Sequence, residues 1–222
     1  MQINLLYRPS QTLAQCWLGP NETVLAESGA MVGMTPNVQM QTQSGGLGAG
    51  LKRMFGGESF FRNSFTAVGG QGELLLAPPL CGDMAILEAG QRQWTLQSSA
   101  FVASSPTVDV QTKGGGFKGL FSGAGLFTLQ TQGQGQVLIG AFGALEQITV
   151  DGSMVIDTGH LVAWESQLQY TVGKSGGGWI ASFLSGEGLV CHFQGQGVVY
   201  LQSRNASEYG QTVGAMLPPQ EA

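Results

Sequence analysis

Apolar and polar residues alternate at three places along the chain: Val38 and Met40 around Gln39, Val108 and Val110 around Asp109, Leu168 and Tyr170 around Gln169. Successive side chains of an extended chain point to opposite faces, so this alternation predicts strands with one buried face. Each belongs to a longer expected strand that opens on an apolar pair: Met31-Val32 to Thr42, Phe101-Val102 to Thr112, and Leu161-Val162 to Val172. Pro36 and Pro106 stand at matching offsets, with Ser166 in the third copy. A second set of strands follows the tripeptides Gly70-Gln71-Gly72, Gly133-Gln134-Gly135 and Gly195-Gln196-Gly197, spaced by 63 and 62 residues. Those strands are Leu74-Leu75-Leu76, Val137-Leu138-Ile139 and Val198-Val199-Tyr200-Leu201. Self-similarity at a fixed period is the mark of an internal repeat.

Between the two strand sets each copy carries a Gly-rich insert, at residues 45–57, 114–123 and 176–186. Leu51/Met54/Phe55, Phe117/Leu120/Phe121 and Ile180/Phe183/Leu184 recur at i, i+3 and i+4. That spacing predicts short helical turns, stopped by Gly56, Gly123 and Gly186. Apolar strands then restart at Phe60-Phe61, Leu126-Phe127 and Leu189-Val190, and Thr23-Val24-Leu25, Trp94-Thr95-Leu96 and Met154-Val155-Ile156 lead into each copy. Asp151-Gly152 predicts a two-residue hairpin between Ile148-Thr149-Val150 and Met154-Val155-Ile156. The end of the chain, about residues 209–222 with Pro218-Pro219, reads as a flexible tail. The expected fold is a single all-β domain over residues 1–222, barrel-like or akin to a double-stranded β-helix. Its three pseudo-repeats span about residues 30–80, 100–145 and 160–205, after N-terminal strands near residues 13–25. Units this small do not close a core alone, so they are expected to share one.

Composition sharpens this picture. Gly accounts for 36 of 222 residues, about twice the usual share of roughly 7%, and charged residues for 10% against about 25%. No three-residue Gly period exists, which excludes collagen, and 42% hydrophobic content excludes a disordered chain. A net charge of −5 argues against a general grip on nucleic acid or anionic lipid. No run approaches the roughly 20 apolar residues of a membrane span. The opening residues match neither a signal peptide nor a transit peptide, so a cytoplasmic location is expected. Cys16, Cys81 and Cys191 are read as buried free thiols rather than a disulfide or metal framework.

Candidate chemistry is sparse. His192 adjoins Cys191, but neighbours on a strand point to opposite faces and share neither a metal nor a proton. His160 follows Thr158-Gly159 at a strand entrance, and Asp83, Asp151 and Asp157 lie beside Gly or at turns. No phosphate-loop motif is present. Five of nine cations, Lys52, Arg53, Lys113, Lys118 and Lys174, lie in or beside the inserts, with Trp179 among them. These six residues are the candidate contact surface, for a protein partner or a membrane headgroup layer. The apolar triplets beside them are expected to plug the core.

Residues Gly186-Glu187-Gly188-Leu189-Val190 and the stretch from Gly195 to Asn205 carry a family resemblance. Gly29-Ala30-Met31-Val32, Leu51-Lys52-Arg53 running into Gly57-Glu58-Ser59-Phe60-Phe61, and Leu76-Ala77-Pro78-Pro79 with Gly82-Asp83 add to it. In combination they resemble a widespread family of uncharacterised proteins whose mitochondrial members are named for altered inheritance of mitochondria. The resemblance implies an all-β fold like that of the trp RNA-binding attenuation protein, homo-oligomers, no established activity and a link of mitochondrial relatives to inner-membrane organisation. The resulting expectation is a non-enzymatic structural or interaction protein, a β-rich homo-oligomer without a cofactor, for which nucleic acid is not the expected partner. The alternatives are an RNA-binding ring by analogy of fold, and a ligand-binding or enzymatic barrel.

Overall fold

The computed structural model describes residues 1–42, 62–112, 127–174 and 189–218. The described chain is nearly all-β, with one short helix. The first part holds β1 (Gln2–Leu6), β2 (Leu13–Leu18), β3 (Thr23–Glu27), β4 (Met31–Met34), β5 (Val38–Thr42), β6 (Arg62–Ala67) and β7 (Gly72–Leu76). The middle holds β8 (Met84–Ala89), β9 (Trp94–Gln97), β10 (Phe101–Ser104), β11 (Val108–Thr112), β12 (Thr128–Gly133) and β13 (Gly135–Gly140). The last part holds β14 (Leu145–Asp157), β15 (Leu161–Glu165), β16 (Gln169–Lys174) and β17 (Leu189–Gln202), followed by α1 (Ala206–Met216). The strands form three antiparallel sheets in the orders β1-β2-β7-β4, β5-β6-β3-β10-β13-β8 and β11-β12-β9-β15-β17-β14, with β16 also paired to β17.

Alternation works as the pattern predicts. Along β2, Ala14, Cys16 and Leu18 are fully buried while Leu13, Gln15 and Trp17 are half-buried. Val38, Val108 and Leu168 are buried as expected, whereas Met40 is exposed on β5, an outer strand paired only with β6. Three pairings share one irregularity. Met31 faces Leu76 and Gly33 faces Leu75; Phe101 faces Ile139 and Ala103 faces Leu138; Leu161 faces Leu201 and Ala163 faces Tyr200. In each, one residue (Val32, Val102 or Val162) is left over as a bulge, which bends the strand.

The core falls into three clusters. Leu18, Phe65, Leu74 and Leu76 pack with Val102 and Ala103 from β10. Leu96, Phe101, Leu129 and Ile139 pack with Val162 and Ala163 from β15. Trp164, Cys191, Phe193 and Val199 form the third with Ile156 and Leu161. Strand pairings carry the first two cores across: β10 meets β3 through Ala103–Ala26 and Ser104–Leu25, and β15 meets β9 through Ala163–Leu96 and Trp164–Thr95.

Three expectations are corrected. Each long strand expected from Met31, Phe101 and Leu161 is two strands: β4 and β5, β10 and β11, β15 and β16. A turn closes between them, where the amides of Val38, Val108 and Leu168 donate to the carbonyls of Thr35, Ser105 and Glu165 at 3.0, 3.1 and 3.0 Å. Asp151-Gly152 is not a hairpin: β14 runs straight through it, with Asp151 opposite Gln196 and Gly152 opposite Gly195. A full-length partner strand holds the segment extended, and the positive φ of the facing pair, Gly152 at +95° and Gly195 at +110°, is accommodated within the ladder because both residues are glycine. The C-terminal stretch also departs from the flexible tail, because residues 206–216 form α1. The Asn205 side chain accepts from the amides of Ser207 and Glu208, and Glu208 lies in the first turn, so the helix start is a regular N-cap. Tyr209 sets its ring edge-on to Phe142, with centroids 5.2 Å apart. The helical turns expected in the inserts lie outside the described residues.

Candidate functional site

The feature of the molecule that invites function is a pair of open sheet edges. Among the described residues β4 ends the first sheet, pairing with β7 on one side only. Its sequence, Met31-Val32-Gly33-Met34, carries no charge and no proline, the devices that ordinarily blunt an edge. Met31, Val32 and Met34 are 38%, 58% and 40% exposed. The far half of β14 ends the third sheet and, among the described residues, pairs with β17 alone. There Met154 is 38% and Val155 58% exposed, while Ile156 points into the third core. Unpaired backbone donors and acceptors beside exposed apolar side chains form a template for another strand.

The sequence-derived contact surface is placed only in part. Lys174 ends β16 opposite Leu189; Lys52, Arg53, Lys113, Lys118 and Trp179 lie outside the described residues, as do the apolar triplets. All three inserts are rooted on hairpins with matching registers, since Thr42 faces Asn63, Thr112 faces Leu129 and Val172 faces Cys191.

Two buried carboxylates of the described chain, Asp83 and Glu165, serve the fold. Asp83 is not a simple turn residue. Arg8 donates through Nε and Nη2 to its two carboxylate oxygens, both at 2.8 Å, and the Thr12 hydroxyl and Met84 amide donate to Oδ1 at 3.0 and 2.9 Å. Burial opposes ionisation of Asp83, but the donors, Arg8 first, outweigh it and hold the carboxyl below its ordinary value. The stabilisation is therefore complete above the unfolded carboxyl value near about 4 and is lost as pH falls through the lower folded value. Arg8→Ala is expected to cost roughly 1–3 kcal/mol at pH 7 and less in acid. Chemical denaturation of both proteins at pH 7 and pH 3 checks this; a cost that does not shrink on acidification would refute it.

Glu165, buried in β15, is held by Arg92 Nη1 at 3.0 Å and by Gln167 Nε2. His160 Nδ1 lies 2.8 Å from the Gln202 carbonyl, and His192 is exposed while its neighbour Cys191 is buried. Burial pushes the Cys16 and Cys191 thiols up to about 12, which keeps them protonated. Cys81 is exposed, contrary to the expectation of three buried thiols: it lies in the connection between β7 and β8 rather than on a core-facing strand. Among the described residues no cluster of three His, Cys, Asp or Glu is arranged to hold a metal. No helix among them is long and apolar enough to cross a membrane. Sequence reasoning identified Met31-Val32 and Met154-Val155 as strands but had no signal that they would be left without neighbours.

Comparison with known proteins bears on the whole chain. An uncharacterised protein of Streptococcus pyogenes serotype M6 is 35% identical over 207 residues, spanning 88% of this chain and 83% of its own. A crystal structure of a Streptococcus pyogenes protein superposes with a TM-score of 0.83 at 32% identity, covering 97% of this chain and 99% of that one. The family model described as mitochondrial biogenesis AIM24 matches residues 3–204, a span that includes every described strand except the first residue of β1. The chain belongs to the AIM24 family.

Proposed function

We propose that this protein is a non-enzymatic structural and interaction protein that works as a β-rich homo-oligomer, each chain contributing three similar units. The observation that carries the reading is the pair of edges open among the described residues, β4 in the first sheet and the far half of β14 in the third, each with exposed apolar side chains. The three repeated register slips support the division into units. So do Gly72, Gly135 and Gly197, which lie two residues before Leu74, Val137 and Val199, the partners of Met34, Ser104 and Trp164. At each glycine an added Cβ would crowd the segment after the preceding strand: Val38 at 2.6 Å, Ser105 at 2.8 Å, and Leu168 at 2.9 Å. One backbone plan used three times fits a building block, and the buried carboxylates Asp83 and Glu165 hold it together through Arg8 and Arg92.

Light scattering on the purified protein at micromolar concentration tests the reading. The expected mass is a multiple of the chain mass. A single-chain mass across the micromolar range would overturn it.

A further inference from the structure

We infer that chains join head to tail through one defined strand pairing: β4 of one copy lies antiparallel to the far half of β14 of the next, with Gly33 opposite Ile156 and Met34 opposite Val155. The inference rests on the homo-oligomer reading and names the surface that such an oligomer uses.

The register follows from two pairings already inside the chain. The slips align Met31 with Phe101 and Leu161, and therefore Gly33 with Ala103 and Ala163, and Met34 with Ser104 and Trp164. An independent alignment comes from the ladders below. Ala26 shares Asn63 with Thr42, Leu96 shares Leu129 with Thr112, and Ile156 shares Cys191 with Val172. The offsets between Thr42, Thr112 and Val172 are the same 70 and 60 residues as between Met31, Phe101 and Leu161. So Ala26, Leu96 and Ile156 correspond, as do Leu25, Thr95 and Val155. Within the chain the corresponding pairs are Ala103–Ala26 with Ser104–Leu25, and Ala163–Leu96 with Trp164–Thr95. The remaining combination is Gly33–Ile156 with Met34–Val155, and its two strands are the open edges.

Burial says the same thing. Val102 and Val162, the bulge residues of β10 and β15, are fully buried in the core of the preceding unit, whereas Val32 is 58% exposed. Leu25 and Thr95 are buried beneath a neighbouring strand, whereas Val155 is 58% exposed. Strand counting agrees as well. The two larger sheets each join three strands of one unit to strands of the next, β5-β6-β3 to β10-β13-β8 and β11-β12-β9 to β15-β17-β14. Among the described residues the sheet β1-β2-β7-β4 has no such partner, and neither has the far end of β16, β17 and β14. Because the two edges differ, the contact is heterologous and generates a closed ring or a filament, according to the rotation between copies.

Disulfide trapping tests the pairing. Directly opposed residues on antiparallel strands have Cα atoms about 4.5–5.5 Å apart, within the range a disulfide spans. In a Cys81→Ser background, which leaves only the buried native thiols, Met34→Cys and Val155→Cys are made in separate, differently tagged chains and co-expressed. Mild oxidation is expected to give a reducible covalent dimer containing both tags, and none from either variant alone. Placing both substitutions in one chain is expected to give a ladder of covalent multimers. Dimers from Met34→Cys alone would overturn the head-to-tail contact in favour of a symmetric one. A cross-link within the doubly substituted chain at single-chain mass would show that the chain closes on itself. A multimeric wild type without any trapped dimer would leave the homo-oligomer standing and overturn this interface, whereas a monomeric wild type overturns both. Val32→Lys gives a second readout: it is expected to weaken association at least tenfold with an unchanged far-ultraviolet circular dichroism spectrum. Unaltered association would count against the proposal.

Discussion

Replacing Trp164 by Ala is expected to lower stability by about 3–5 kcal/mol, the scale of deleting a buried aromatic side chain. Trp164 is fully buried in β15. Its ring stands edge-on to Tyr170 and Phe193, at centroid distances of 5.1 and 5.8 Å, and these two are themselves 5.9 Å apart. The three rings tie β15, β16 and β17 into one core, so Ala would leave a cavity at the centre of that packing. The indole Nε1 is buried without a hydrogen-bond partner among the described residues, so the side chain contributes volume and edge contacts rather than a polar anchor. Trp164→Phe should accordingly cost much less, about 1–2 kcal/mol. Urea denaturation of the three proteins measures both differences. Equal losses for Ala and Phe would show that the indole nitrogen, not the packing, matters.

A comparable loss, about 3–5 kcal/mol, is expected for Gly82→Ala, combining overpacking with broken hydrogen bonds. Gly82 is bridged in parallel to Gly143. An added Cβ would run into the carbonyl oxygen of Ala141 and come within 2.7 Å of the Gly143 nitrogen and oxygen. Backbone atoms do not rotate away, so the two segments must separate. Their separation breaks Asp83 N–H to Gly143 O at 2.9 Å, Ala141 N–H to Asp83 O at 2.9 Å, and Gly143 N–H to Cys81 O at 3.0 Å. It also disturbs the Asp83 carboxylate that Arg8 and Thr12 hold. Gly70→Ala is the control, because nothing lies within 4 Å of a Cβ there, and it should change stability by no more than about 0.5 kcal/mol. Similar thermal shifts for the two substitutions would refute the close-approach argument.

The open edges explain why the candidate site was only half legible. Met31-Val32 carries the same apolar signature as Phe101-Val102 and Leu161-Val162, and Met154-Val155-Ile156 the same as Trp94-Thr95-Leu96. Periodicity reports that a side chain suits a covered face. Whether a neighbour covers it depends on which units precede and follow in space, and the first and last of three lack one each. The contact surface inferred from Lys52, Arg53, Lys113, Lys118, Lys174 and Trp179 rested on clustering in sequence, and of these only Lys174 falls on described chain.

By itself the sequence determined the all-β class, most strand positions and the family, because period-two alternation, Gly-rich bends and specific motifs act over a few residues. It also held a readable N-cap, Asn205 with Glu208 three residues on, although the Pro-Pro tail drew attention away from it. Only the tertiary structure decided that Asp151-Gly152 runs on as strand, since a partner of equal length outweighs a local turn preference. The same holds for Asp83, whose role comes from Arg8, 75 residues away in sequence. It holds for Cys81 and Val32 too, whose exposure depends on what lies beside them in space. Local patterns specify which groups a residue prefers to meet; long-range packing settles which of those groups are present.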